Sequence, residues 1–216
     1  MKKGILILTM LSLLLGQSRH MPADTSVVTK HKTTIGGKKV DYKATTGTQP
    51  VWNDDGHPIA AVHYTYYERT DIKKDPSRPI MISFNGGPGS GSVWMHLAYT
   101  GPMILNVDDE GFPVQPYGVK SNPHSILDVA DIVFVNPVNT GFSRILDKDT
   151  KKETFFGVNA DIAYLAEWIN TFIQRVNRWE SPKYLIGESY GTTRVSGLAA
   201  ALQGRQWMYI NGVILV

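Results

Sequence analysis

Tyr184-Leu185-Ile186-Gly187-Glu188-Ser189-Tyr190-Gly191 joins a short apolar run to a segment, Val195 to Gln203, whose composition predicts a helix. An apolar run of this length that stops at a glycine reads as a buried strand, so Ser189 falls on a strand-to-helix turn. Such a turn forces the serine into a strained backbone conformation with its hydroxyl exposed, and it needs flanking glycines because side chains there would collide. The G-x-S-x-G string alone also fits a glycine-rich turn with a capping serine. The strand before it and the helix after it point to a nucleophile instead.

The surrounding sequence supplies more of the same architecture. Pro79-Ile80-Met81-Ile82-Ser83-Phe84 and Asp131-Ile132-Val133-Phe134-Val135 are further apolar runs that predict buried strands, and Gly212-Val213-Ile214-Leu215-Val216 predicts another strand, expected at an edge of the sheet. Val158, Ile162, Leu165, Ile169, Phe172, Ile173 and Val176 recur at helical spacing and predict a long amphipathic helix packed on a sheet. Residues 27 to 69 alternate, with turn signals at Ile35-Gly36-Gly37, Thr46-Gly47-Thr48 and Asn53-Asp54-Asp55-Gly56, which predicts an antiparallel meander. The fold expected is α/β: a mostly parallel sheet with helices on both faces and an antiparallel edge at its N-terminal side.

A second glycine-rich loop, Asn85-Gly86-Gly87-Pro88-Gly89-Ser90-Gly91-Ser92, directly follows a predicted strand. Cleavage of an acyl group needs backbone N–H donors aimed at the oxygen that becomes negative, and glycines let the main chain approach closely enough. In α/β-hydrolases one donor follows the nucleophile and the other comes from such an upstream loop, which assigns Tyr190 and Gly87. A phosphate-binding loop is the rival reading, but no Gly-Lys-Ser/Thr follows and Pro88 removes a donor.

Asn85-Gly86-Gly87-Pro88-Gly89, Asn136-Pro137-Val138-Asn139-Thr140-Gly141-Phe142-Ser143 and Gly187-Glu188-Ser189-Tyr190-Gly191 together resemble three motifs of the serine carboxypeptidase family, the carboxypeptidase Y type, in its order and at about its spacing. The resemblance runs from about residue 30 to the end of the chain, and members of that family continue for a similar length again. It implies an α/β-hydrolase fold, a Ser-Asp-His triad and release of C-terminal residues from peptides through an acyl-enzyme on Ser189, the catalytic set here being Ser189, Gly87 and Tyr190. It also implies that Asn85 and Glu188 bind the substrate's terminal carboxylate. In this fold the triad order is Ser, then acid, then His, and all six histidines precede Ser189. The expectation is an N-terminal part of a longer hydrolase that alone turns over no peptide.

Three positions depart from the family pattern. Tyr99 stands where a second glutamic acid would pair with Glu188, Ser83 replaces a tryptophan and Ser90 a cysteine. An acid kept protonated by burial and by a like neighbour can donate to a carboxylate, and with Tyr99 there Glu188 lacks that neighbour. Asn85 also reads as a plain turn former, and Glu188 as a brace for the loop. An esterase, amidase or acyltransferase on the same fold, or a secreted binding protein without catalysis, are the alternative functions.

Met1-Lys2-Lys3, the apolar stretch Ile5 to Leu15 and then Gln17-Ser18-Arg19 have the layout of a secretory signal peptide over residues 1–20, leaving residues 21–216 as the hydrolase part. The apolar run is near half of what spans a bilayer, so no stable membrane anchor is expected. There are no cysteines, hence no disulfide or thiolate metal site, and export without disulfides favours a periplasm over a eukaryotic route. A net charge of +3 from 22 basic and 19 acidic residues, with no long basic run, gives no sign of a nucleic-acid partner. The expected partner is a peptide or protein with a free C terminus; the chemistry calls for no cofactor and no metal, and no pattern specifies an oligomeric state.

Overall fold

Three long strands open the fold and do most of the antiparallel pairing: β1 (Thr25–Ile35), β2 (Lys38–Trp52) and β3 (Pro58–Arg69). The computed structural model describes residues 22–216, so the expected signal segment, residues 1–20, lies outside the described residues. The turns at Gly36-Gly37 and Asn53 to Gly56 fall where the turn residues predict. Thr46-Gly47-Thr48 does not turn; it continues β2, with Gly47 opposite Ser26 on one side and Tyr64 on the other. The glycine is there for space, because a Cβ on it would lie 2.0 Å from the carbonyl oxygen of Thr25.

β4 (Ile80–Phe84) follows, then a small two-stranded arm of β5 (Met103–Leu105) and β6 (Val119–Ser121), then β7 (Asp131–Val135) and the short β8 (Arg144–Ile145). Helix α1 (Val158–Arg175), β9 (Lys183–Gly187), helix α2 (Tyr190–Gln206) and β10 (Gly212–Leu215) complete the order. The main sheet runs β1-β2-β3-β7-β4-β9-β10, with β8 beside β3. β7, β4, β9 and β10 are parallel to one another, and β3 joins them to the antiparallel edge. Every residue of β4 and β7 is buried, as continuous apolar runs covered on both faces should be.

One face carries the larger core. Ile80, Ile82, Phe84, Val133, Val135 and Leu185 from the sheet meet Leu165, Trp168, Ile169, Phe172 and Ile173 of α1 and Val195, Leu198 and Leu202 of α2. Trp168 stacks on Phe172 at 5.2 Å, and its indole N–H donates to Gln49 O at 3.2 Å, tying α1 to β2. Val158, the first residue of the expected stripe, begins the helix but is 45% exposed, because it precedes the first turn that reaches the sheet. On the other face Met81, Ile132, Phe134 and Ile186 pack beneath Met95 of a wide π-type helix, Met95–Thr100. At the carboxyl ends of β4, β7 and β9 lie all three glycine-bearing motifs. Among the described residues no helix is long and apolar enough to cross a membrane.

Candidate active site

Ser189 lies two residues past the end of β9 and directly precedes α2, with φ 58° and ψ −124°. A side chain bearing a Cβ is strained there. The bend is possible because of its neighbours: a Cβ on Gly187 would stand 2.1 Å from Gly191 O, and one on Gly191 would stand 3.1 Å from Phe84 O. Backbone bonds hold the bend in place. Glu188 N donates to Phe84 O (3.1 Å), Ser189 N to Val216 O (2.9 Å) and Val216 N to Gly187 O (2.9 Å). Ser189 is exposed, while Glu188 and Tyr190 are half-buried. Among the described residues the hydrogen bonds of Ser189 are made by its backbone, including one that its carbonyl accepts from Thr192 Oγ1 at 2.7 Å.

The glycine loop touches this bend. A Cβ on Gly86 would lie 2.4 Å from Tyr190 N and 2.9 Å from Ser189 Cβ, so the two segments are in contact only because position 86 has no side chain. Gly87, at φ 109°, is exposed next to them. No backbone acceptor takes the N–H of Gly87 or of Tyr190 among the described residues. Two donors without a backbone acceptor therefore lie on the adjoining segments, one on each, and the first turn of α2 adds the positive end of a helix dipole.

Asn85 is 1% exposed and bridges the loops. Its Nδ2 donates to Glu188 Oε2 at 2.9 Å, and its Oδ1 accepts from Met95 N at 3.0 Å. The two residues expected to hold a carboxylate are thus brought together, each occupied in part by bracing the other. Tyr99, the last residue but one of the π-type helix, is 58% exposed, and its carbonyl accepts from Asn122 Nδ2 at 2.9 Å. The Asn136 motif buttresses the glycine loop from behind: Ser92 N donates to Asn136 Oδ1 (2.8 Å), and Asn136 Nδ2 donates to His63 Nδ1 (3.0 Å). His63 Nε2 then carries the hydrogen that meets Thr46 Oγ1 at 3.2 Å, and burial lowers its pKa. His96 is engaged with Tyr67 Oη at 2.7 Å. Both half-buried imidazoles are committed away from Ser189.

Sequence reasoning passed over Arg194 and Asp161. Arg194 is 1% exposed; its Nε donates to Asp161 Oδ2 (2.8 Å), Nη1 to Asn85 O (2.8 Å) and Nη2 to Pro88 O (3.3 Å). The guanidinium also lies 5.2 Å from the ring centre of Tyr190 and 5.7 Å from that of Phe84. Burial raises the pKa of Asp161, against the opposing pull of Arg194. The only hint in the sequence is an arginine directly before the apolar residues of a helix. Among the described residues no group of three or more His, Asp or Glu side chains is placed to hold a metal ion.

Comparison with known proteins gives a consistent result. A family model described as serine carboxypeptidase matches residues 37–211. Serine carboxypeptidase-like 31 of Arabidopsis thaliana is 27% identical over 76% of this chain and 31% of its own length. Carboxypeptidase Y of Saccharomyces cerevisiae is 29% identical over 67% of this chain and 24% of its own. The chain therefore spans about a third or less of the curated relatives it matches. Among solved structures, a prohormone-processing carboxypeptidase from Saccharomyces cerevisiae superposes with a TM-score of 0.61 at 19% identity, covering 80% of this chain and 38% of that one. That likeness concerns the fold.

Proposed function

We propose, from the premise that this chain belongs to the serine carboxypeptidase family, that it forms the nucleophile-bearing part of an enzyme that removes C-terminal residues from peptides. Residues 21–216 would be the N-terminal part of its α/β-hydrolase domain. Ser189 attacks the scissile carbonyl, and the N–H groups of Gly87 and Tyr190 hold the oxygen as it becomes negative. The amine leaves as the tetrahedral centre collapses to an acyl-enzyme, which water then hydrolyses. The base that takes the serine proton, and the acid that orients it, come from sequence outside the described elements. Asn85 and Glu188 receive the substrate's terminal carboxylate, and no cofactor takes part.

The observation that carries this reading is the contact between the strained Ser189 bend and the Gly86-Gly87 segment, with two free amides at their junction. An exported protein, secreted or periplasmic, fits the leader-like residues 1–20. The test uses the full-length enzyme on N-blocked dipeptides that differ only in a free or amidated C terminus. A carboxypeptidase prefers the free acid strongly; equal rates on both defeat the exopeptidase reading. An esterase, amidase or acyltransferase is the second reading, favoured by the exposed tyrosine at position 99. Efficient turnover of simple esters without peptide cleavage would select it.

A further inference from the structure

We infer that Arg194 is a positioning residue that sets the distance between the two oxyanion donors. The inference rests on the acyl-transfer reading above. One donor, Tyr190 N–H, is on α2; the other, Gly87 N–H, is on the glycine loop. Arg194 lies one helical turn after Tyr190, on the same face of α2. From there its guanidinium reaches the carbonyls of Asn85 (2.8 Å) and Pro88 (3.3 Å), which bracket Gly86-Gly87. Gly86 and Gly87 have no side chains with which to hold themselves, and Gly87 sits at φ 109°. Within the loop, Ser90 N to Gly86 O at 3.1 Å is a local tie, but it joins the loop to itself. The arginine joins it to the helix that carries the other donor.

The rest of the side chain is arranged to keep that grip rigid. Nε is held by Asp161 of α1 at 2.8 Å, and the guanidinium lies over the rings of Phe84 and Tyr190. Asp161 supplies the opposite charge that a buried guanidinium needs against the cost of leaving water. A fork of donors in fixed geometry can bind two carbonyls and a carboxylate at once; a lysine ammonium in the same place cannot span all three. Displacing a catalytic group by about 1 Å costs on the order of a hundredfold in rate. The tie therefore bears on chemistry, not only on folding.

The experiment compares the full-length wild type with Arg194→Lys and Asp161→Asn. It follows thermal melting, kcat and KM on a blocked peptide, and the rate at which a fluorophosphonate labels Ser189. For Arg194→Lys the expected result is a kcat lowered about 10- to 100-fold, KM within about threefold of wild type and labelling slowed in parallel. Asp161→Asn keeps the guanidinium but loosens its anchor, and it should show the same pattern at roughly a third of that size on a logarithmic scale. Should Arg194→Lys melt below the assay temperature, Asp161→Asn decides in the same way. Folded variants with wild-type kcat and labelling rate overturn the inference while leaving the hydrolase reading intact. A folded wild type that fluorophosphonate does not label at Ser189 overturns both.

Discussion

Each end of the parallel strands holds a buried arginine against a buried aspartate, but the surrounding backbone differs. At the carboxyl end Arg194 and Asp161 lie under loops in which Ser189, Gly87, Asn139 and Gly141 all have positive φ. At the amino end Arg178 and Arg78 converge on Asp131, the first residue of β7. Arg178 also donates to Tyr66 Oη (3.0 Å), Ser181 Oγ (2.7 Å) and Arg78 O (2.6 Å). That network ties β3, β7 and the approaches to β4 and β9 together, beside a cavity of about 580 Å³. One end spends its buried charge holding an exposed hydroxyl in an uncomfortable conformation; the other spends it closing the sheet. Substitutions at the first end should therefore read out in rate and those at the second in stability.

The largest effect expected at the strained end comes from Ser189→Gly. Turnover by the full-length enzyme should fall by on the order of 10⁶, as for loss of a serine nucleophile elsewhere. Glycine tolerates φ 58°, so relief of about 1–3 kcal/mol of strain offsets its extra chain entropy of about 0.5–1 kcal/mol. Denaturant unfolding should show stability unchanged or raised. A loss of stability with activity retained would mean that this end is not the strained, functional one.

Arg178→Ala is the counterpart at the other end. It leaves Asp131 with Arg78 and the backbone N–H of Arg69, and strips a partner from Tyr66, whose pKa is already raised by burial. Removing one member of a buried charged network costs about 3–5 kcal/mol. Urea titration should show that loss, and kcat of whatever remains folded should match wild type. A change in kcat without a change in stability would erase the distinction between the ends.

Much of this contrast was legible in the sequence, though unevenly. β4, β7 and β9 are covered on both faces, so they appear as unbroken apolar runs, and the three glycine motifs follow directly from where those runs stop. Gly47 was misleading because a glycine inside an alternating strand looks like a turn, while its cause, the approach of Thr25, is 22 positions away in sequence. Helix α2 begins at Tyr190 rather than Val195 because the elbow itself starts it, and Gly191-Thr192-Thr193 interrupts the apolar period. The Arg194–Asp161 pair is 33 residues apart. A charged residue on a helix reads as solvated, and nothing local says that this one is buried.

Acid should separate the ends further. His96, on the π-type helix, stacks on Phe134 at 4.5 Å, and burial, helped by the nearby His63, lowers its pKa from 6.5 to about 4. Between those values the unfolded chain binds the proton and the folded one does not. Stability from this group is therefore complete above about pH 6.5 and is lost as pH falls towards 4, a total of roughly 3 kcal/mol. His63, lowered in the same direction, adds to the slope. In His96→Phe the difference from wild type should grow more favourable to the variant as pH drops through that window. A constant difference from pH 7 to 4 would show that His96 titrates normally in the folded state.

The smallest expected effect lies between the two ends, at Ser83 in the middle of the sheet. Its Oγ is the one buried side-chain polar atom among the described residues with no hydrogen-bond partner, and the residue is fully buried. Its neighbours in β4, Ile82 and Phe84, belong to the apolar core of the opposite face, and its carbonyl is used by Ser92 Oγ at 3.4 Å. A buried hydroxyl without a partner costs about 1–3 kcal/mol in desolvation, while removing one oxygen leaves a void too small to cost as much. Ser83→Ala should thus be neutral or stabilising by up to about 1 kcal/mol, with kcat unchanged because no loop bond runs through the hydroxyl. Destabilisation beyond about 1 kcal/mol would reveal a partner for that oxygen in the full-length protein and would extend the bracing of the glycine loop one residue deeper into the sheet.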